Sequence, residues 1–104
     1  MGPATKRILI VDDDELLREF YRRVLSGQGY DVVCAADGEE ARRFLKSGGA
    51  RFSLVIMDLL MPVVTGWELI RFIRDSDRLR QLPILAVTGL GGSPDEMHRV
   101  REVC

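Results

Sequence analysis

Long hydrophobic runs and a large excess of charge of one sign are absent from this chain. Asp58 and Pro62 interrupt its longest apolar stretch, which predicts that no segment spans a membrane. The formal net charge is −1 over 104 residues, so bulk charge is not expected to draw the chain to nucleic acid or to a membrane surface. Length and composition together predict one domain, residues 1–104, of modest size.

Cysteine is also scarce, and its two positions are not spaced as metal ligands. Cys34 lies in an apolar run, which predicts a buried, inert thiol, and Cys104 is the last residue. Because the first residues lead straight into a predicted strand, no signal peptide is expected. Because free thiols are typical of reducing compartments, we expect a cytoplasmic location.

Short apolar runs do occur, and they alternate with segments of helical periodicity. The runs predict four buried strands, at residues 8–11, 32–36, 54–58 and 84–88. Three helices are predicted between the strands and a fourth after the last one. The second, third and fourth helices begin with capping-box patterns: Asp37 with Glu40, Thr65 with Glu68, and Ser93 with Glu96. This alternation predicts a parallel sheet covered by helices.

The first predicted helix, which starts at Glu15, has an amphipathic pattern. Its apolar stripe, which is expected to face the core, consists of Leu16, Leu17, Phe20, Val24 and Leu25. The opposite side is expected to be solvated, and it carries Arg18, Glu19, Arg22 and Arg23.

Carboxylates follow two of the predicted strands at the point where each strand ends. Asp12 and Asp13, with Asp14 as a third candidate, follow the first strand, and Asp58 ends the third. If these strands are neighbours, the acids converge, and two unit charges 4 Å apart repel by about 4 kcal/mol at an effective dielectric near 20. Such a cluster needs a proton or a cation. Carboxylate oxygens suit Mg²⁺, and the backbone carbonyl of Leu60 is placed to be a further ligand.

Each of these residues also has a simpler interpretation. The acids at 12–14 can cap the following helix, and Asp58 can be a turn residue. Thr88, at the end of the fourth strand, can be an ordinary β-branched strand residue. Their coincidence at several strand ends favours a functional site.

Three motifs of this chain resemble those of a response-regulator receiver domain, the phosphoacceptor module of two-component signalling. They are residues 6–14 (KRILIVDDD), 54–62 (LVIMDLLMP) and 83–89 (PILAVTG), and the resemblance covers residues 6–104. It implies a flavodoxin-like α/β sandwich with strand order 2-1-3-4.

The resemblance also implies a function. Asp58 would accept a phosphoryl group from a histidine kinase, a phosphotransfer protein or a small phosphodonor. Asp12, Asp13, Asp58 and the Leu60 carbonyl would bind Mg²⁺, and Thr88 would donate a hydrogen bond to the phosphoryl group. Such a domain is a switch rather than an enzyme, with self-phosphorylation and self-dephosphorylation at most. No direct contact with nucleic acid or membrane is expected.

The chain departs from the family at its C-terminal side, where a fifth strand and helix are expected. That strand would end in a lysine that contacts the phosphoryl group, and the only lysines here are Lys6 and Lys46. We favour the explanation that this chain is a shortened piece of a longer protein. Two alternatives are a natural short form that a dimer partner completes, and an incomplete sequence of a longer protein. The missing elements would uncover apolar side chains on one face of the sheet and leave residues 84–88 as an edge strand. We therefore expect a homodimer through the fourth strand and fourth helix.

Two other functions remain open. A degenerate receiver without the lysine would act only as a protein-interaction or dimerisation module. A phosphohydrolase with an aspartate nucleophile would use two acids spaced like Asp12 and Asp14.

Overall fold

The fold comes from a computed structural model that describes residues 5–48, 51–59 and 66–87. The elements in chain order are β1 (Arg7–Val11), α1 (Glu15–Gly27), β2 (Asp31–Ala35), α2 (Gly38–Gly48), β3 (Phe52–Asp58), α3 (Gly66–Asp75) and β4 (Ile84–Val87). Each predicted strand is present, with ends within two residues of those expected. The predicted fourth helix and the Thr65 cap lie outside the described residues.

The four strands form one parallel sheet in the order β2-β1-β3-β4. This order confirms the predicted flavodoxin-like α/β fold. Sequence-adjacent strands are joined by helices because parallel strands need a crossover. Val11 of β1 pairs with Ala35 on one side and with Met57 on the other, so β1 and β3 end at the same level.

Each face of the sheet has its own apolar cluster, because the central strands are buried on both sides. The larger cluster joins alternate residues of β1 and β3, such as Leu9 and Val55, to α2 and α3. Ala41 and Leu45 of α2 are fully buried in it, as the sequence predicted. The smaller cluster contains Ile8, Ile10 and Ile56, against which α1 packs Tyr21 and Leu25.

The predicted apolar stripe of α1 does not face the core as expected. Four of its five members are exposed: Leu16 by 82%, Leu17 by 43%, Phe20 by 59% and Val24 by 48%. Leu25 is the one member of the stripe that packs against the smaller cluster. Tyr21, which is not part of the stripe, packs beside it. The physical reason is the orientation of α1: it lies over β1 and β2 and meets the smaller cluster through Tyr21 and Leu25, so the side that faces the sheet is not the side that carries Leu16 and Phe20.

The uncovered surface continues onto β4. Leu85 pairs with Ile56, which places its side chain on the α1 side of the sheet, and Val87 follows two residues on. Both are exposed, by 53% and 38%. Apolar side chains are therefore exposed on one face of the sheet. Within the described residues, no helix is long and apolar enough to cross a membrane.

Local hydrogen bonds explain where α2 begins. Asp37 caps the helix: its Oδ1 accepts a hydrogen bond from the backbone N–H of Glu40 at 2.8 Å. The Glu40 carboxylate reaches back and accepts the N–H of Ala36 at 3.2 Å. This reciprocal arrangement confirms the predicted cap, although the glutamate bonds one residue before the cap residue.

Candidate metal centre

Three acids converge at the carboxyl-terminal ends of β1 and β3. Since Val11 pairs with Met57, the next residues along each strand, Asp12 and Asp58, lie at the same level. One carboxylate oxygen from each of Asp12, Asp13 and Asp58 lies within 4.8 Å of the others. Asp12 is buried, Asp58 is half-buried and Asp13 is exposed. The cluster is therefore open to solvent on the Asp13 side.

Asp12 is held by several hydrogen bonds. Its backbone N–H donates to the Ala35 carbonyl at 3.1 Å, which extends the β1–β2 ladder by one residue. Its carboxylate Oδ1 accepts the backbone N–H of Asp14 at 2.9 Å. Only 7% of the residue is exposed.

Burial raises the pKa of the Asp12 carboxyl above its ordinary value of 3.8. The hydrogen bond from Asp14 opposes this rise, while the nearby charges of Asp58, Asp13 and Asp14 add to it. A cation bound between the acids would relieve both the desolvation and the repulsion.

The third acid of the run has a different role. Asp14 is the N-cap of α1, and its Oδ1 accepts the N–H of Leu16 at 2.9 Å and of Leu17 at 3.4 Å. The helix-capping interpretation is thus correct for Asp14, and the convergence applies to Asp12 and Asp13.

The donor set fits Mg²⁺. Opposite ligands of an octahedral Mg²⁺ are about 4.2 Å apart, since each Mg–O distance is about 2.1 Å. Adjacent ligands are closer, about 3.0 Å apart, so the three carboxylate oxygens, which lie within 4.8 Å of one another, must move closer together to bind one ion. The three carboxylates offer the hard oxygen ligands that Mg²⁺ prefers, and the exposed side leaves space for the waters that the ion retains.

Two functional candidates lie outside the described residues: Thr88 and the Leu60 carbonyl. The elements that precede them are described. Leu59 is buried and donates its N–H to the Val87 carbonyl at 3.2 Å, which links the segment after Asp58 to the end of β4.

Sequence reasoning missed Arg18, which it assigned to the solvated side of α1. Arg18 is half-buried, and its Nη1 donates a hydrogen bond to the backbone carbonyl of Asp12 at 2.8 Å. Helical side chains lean toward the N-terminus of their helix, so an arginine in the first turns of α1 can reach back to the end of β1. The position of Arg18 in the first turns of α1 could therefore have indicated this contact from the sequence.

Sequence reasoning also missed the role of Gly66, which it placed only within a capping pattern. Its N–H donates to the Leu59 carbonyl at 3.2 Å. A Cβ at this position would lie 2.5 Å from the Leu59 Cα and 2.7 Å from the Asp58 carbonyl oxygen. The start of α3 therefore packs directly on the peptide that follows Asp58.

The remaining sequence predictions concern residues beside the cluster. Trp67 packs against the larger apolar cluster, as predicted. Lys6 and Lys46 are exposed. Cys34 is half-buried rather than buried, and burial raises the pKa of its thiol, in line with an inert group.

Comparison with known proteins identifies the family. The sequence profile described as "Response regulator receiver domain" matches residues 8–102. This chain belongs to that family. Receiver domains are generally switch domains that bind Mg²⁺ through acidic residues.

Relatives of this receiver include response regulators and a sensor kinase/phosphatase. The polar-differentiation response regulator DivK of Brucella anthropi is 33% identical over 97 residues, which are 93% of this chain and 76% of DivK. The CAI-1 autoinducer sensor kinase/phosphatase CqsS of Vibrio cholerae is 42% identical over 85 residues, 81% of this chain but only 12% of CqsS. The receiver therefore corresponds to most of one relative and to a small part of another.

Solved receivers share the fold. The response regulator receiver protein from Pseudomonas putida is 36% identical, with a TM-score of 0.89, over 98% of this chain and 82% of that one. The chemotaxis protein CheY4 of Vibrio cholerae is 34% identical, with a TM-score of 0.87, over 96% of this chain and 81% of that one.

Proposed function

We propose that this receiver accepts a phosphoryl group on Asp58 in a Mg²⁺-dependent reaction and relays that signal through changed partner contacts. The observation that carries the proposal is the convergence of Asp12, Asp13 and Asp58 at the ends of β1 and β3. Family membership supports a histidine kinase, or a phosphotransfer protein, as the donor. A cytoplasmic location and a domain of residues 1–104 belong to the same proposal.

Each acid has a different part in this proposal. A carboxylate oxygen of Asp58 attacks phosphorus, forming an O–P bond while the bond from phosphorus to the donor's imidazole nitrogen breaks. Asp12 and Asp13 would hold the cation, together with Asp58 and the Leu60 carbonyl, and Thr88 would donate a hydrogen bond to the transferred group. Asp58 suits the acceptor role because it is only half-buried, whereas Asp12 is buried and its Oδ1 is occupied by Asp14 N–H.

The bound Mg²⁺ would neutralise charge on the phosphoryl oxygens as they approach three carboxylates. The residues themselves exclude water from one side of the site, because Asp12 and Leu59 are buried.

The first prediction concerns Asp58. Incubation with Mg²⁺ and acetyl phosphate is expected to add one phosphoryl group, detected by intact mass and removed by neutral hydroxylamine, which cleaves acyl phosphates. Asp58→Asn should abolish the adduct, since an amide oxygen is not a comparable nucleophile. Asp77→Asn is the matched control, because Asp77 is exposed and follows α3.

A phosphoryl adduct that survives Asp58→Asn would rule out Asp58 as the acceptor. Beryllofluoride provides a second readout without covalent transfer. Its binding with Mg²⁺ should change the fluorescence of Trp67, which follows the glycine that packs on the Asp58–Leu59 peptide.

The hydrolase alternative is weaker because its second acid is used elsewhere. Asp14 caps α1 through Leu16 and Leu17, so it is not placed beside Asp12 as a general acid. Sustained turnover of a phosphomonoester by the purified chain would reverse this preference.

A specific observation favours self-association as a second function. β4 is the last strand of the described sheet, and its Leu85 and Val87 are exposed apolar residues. Such an edge pairs readily with another chain. The homodimer predicted from the sequence would use β4; its fourth-helix half lies outside the described residues.

The second prediction tests this surface. Leu85→Lys should weaken self-association at least about tenfold, because a charge would be buried against an apolar partner surface. Light scattering over a concentration series measures the effect. Tyr30→Lys is the control, since Tyr30 is also exposed but lies before β2. A wild-type chain that stays monomeric at high micromolar concentration would exclude the dimer.

A further inference from the structure

Arg18 connects α1 to the peptide between two of the clustered acids. Its Nη1 donates to the Asp12 carbonyl oxygen at 2.8 Å, while its own backbone N–H donates to the Asp14 carbonyl at 3.0 Å. The Asp12 carbonyl and the Asp13 N–H belong to the same peptide group. Holding that carbonyl therefore fixes the direction in which Asp13 leaves the strand.

Asp12 is held by three partners from three parts of the fold. β2 holds its N–H through Ala35, the β1–α1 turn holds its carboxylate through Asp14, and α1 holds its carbonyl through Arg18. The first two contacts are with backbone groups, and only the third is with a long side chain. Without Arg18, the Asp12–Asp13 peptide can rotate, and the two carboxylates lose their fixed separation.

We propose that Arg18 is a positioning residue for the metal site, which orients the Asp12–Asp13 peptide so that both carboxylates face one Mg²⁺. The inference rests on the proposed function, since it assigns Mg²⁺ to this cluster. Arg18 acts through Asp12 and touches neither the cation nor the phosphoryl group.

The direction in which Mg²⁺ affinity changes when Arg18 is removed distinguishes a positioning role from a purely electrostatic one. A guanidinium near a cation site repels the cation, so an arginine that acted only through its charge would weaken Mg²⁺ binding, and its removal would tighten it. A positioning arginine has the opposite signature, because its removal loosens the ligands. Loss of a residue that orients metal ligands typically weakens metal binding by 10–100-fold.

The test is a Mg²⁺ titration of the 104-residue chain, followed by Trp67 fluorescence and by NMR of the Asp13 amide. Arg18→Met should raise the dissociation constant about tenfold. Arg18→Lys should fall between Arg18→Met and wild type, since an ammonium can still donate to one carbonyl. Arg22→Met is the matched control: it removes the same charge from the same helix but breaks only a surface pair with Glu19.

A readout without metal accompanies the titration. Arg18→Met should shift the Asp13 amide resonance of the metal-free chain, whereas Arg22→Met should leave it in place. This signal reports the peptide that Arg18 holds and does not depend on Mg²⁺.

Each outcome of the Mg²⁺ titration either supports or overturns the positioning role of Arg18. Weaker binding in Arg18→Met alone, with partial rescue by lysine, supports the inference. Unchanged or tighter binding overturns it, and so does an equal loss in Arg18→Met and Arg22→Met, which would indicate a general effect on α1. If the wild-type chain shows no saturable Mg²⁺ binding, the proposed function fails as well.

Discussion

Asp12→Asn should have two opposite effects: Mg²⁺ binding weakens by more than about tenfold, while the metal-free protein becomes more stable. Asparagine keeps the Oδ1 that accepts the Asp14 N–H, so the turn is preserved. What disappears is a buried charge beside Asp13 and Asp58. Two carboxylates about 5 Å apart repel by about 3 kcal/mol at an effective dielectric near 20. Because Asp13 is exposed and screened, we expect a net gain of about 1–3 kcal/mol in the free energy of unfolding.

The pH dependence of this gain follows from the raised pKa of Asp12. The folded protein holds the Asp12 proton more tightly than the unfolded chain does. Below the ordinary value of 3.8, both states are protonated and burial of this group costs little. As the pH rises from 3.8 through the raised folded pKa, the unfolded chain releases its proton first, so the free energy of unfolding falls.

Asparagine does not titrate, so the free energy of unfolding of Asp12→Asn does not show this fall with rising pH. The difference in unfolding free energy between the variant and wild type should be largest near neutral pH and should shrink as the pH approaches 3.8. Urea denaturation in metal-free buffer at a series of pH values measures it. Asp77→Asn, which removes an exposed charge away from the cluster, should show no comparable difference. A variant less stable than wild type at neutral pH would show that repulsion does not dominate this site.

The resemblance to receiver domains predicted the sheet order, and with that order the sequence predicted the meeting of Asp12 with Asp58. Continuous apolar runs predict parallel strands that end at one edge of the sheet, and the strand order implied by the resemblance makes β1 and β3 neighbours, so the acids that follow them are expected to meet there. The sequence could not divide the run 12–14 between cluster and cap. That division depends on the turn after β1, where the extended backbone of Asp14 makes it the N-cap.

Hydrophobic periodicity gave a wrong prediction where the burial of a side chain depends on which element packs against it. The pattern of α1 correctly identifies an apolar stripe, but it cannot specify the neighbour that covers it, and Phe20 is exposed. Arg18 and Gly66 were missed for a related reason. Their contacts, with the Asp12 carbonyl and with the Asp58–Leu59 peptide, each join a strand end to the helix that follows it, and hydrophobic periodicity does not describe how a strand end lies against the next helix.

The second large effect is expected at Gly66, because there is no room for a side chain at this position. In Gly66→Ala, the new Cβ would lie 2.5 Å from the Leu59 Cα and 2.7 Å from the Asp58 carbonyl oxygen. Both are backbone atoms, so a side-chain rotation cannot relieve the clash, and α3 or the end of β3 must move. We expect a loss of about 2–4 kcal/mol in unfolding free energy, at or above the usual cost of overpacking.

The displacement should also reach the acceptor. Because the clash is with the peptide that follows Asp58, the folded fraction of Gly66→Ala should take up the phosphoryl group from acetyl phosphate more slowly than wild type. Gly27→Ala is the matched control: Gly27 is the last residue of α1, and a Cβ there meets nothing within 4 Å. It should be neutral or slightly stabilising, by up to about 1 kcal/mol, since alanine restricts the unfolded chain. Equal unfolding free energies for the two alanine variants would show that α3 does not constrain the position of Asp58.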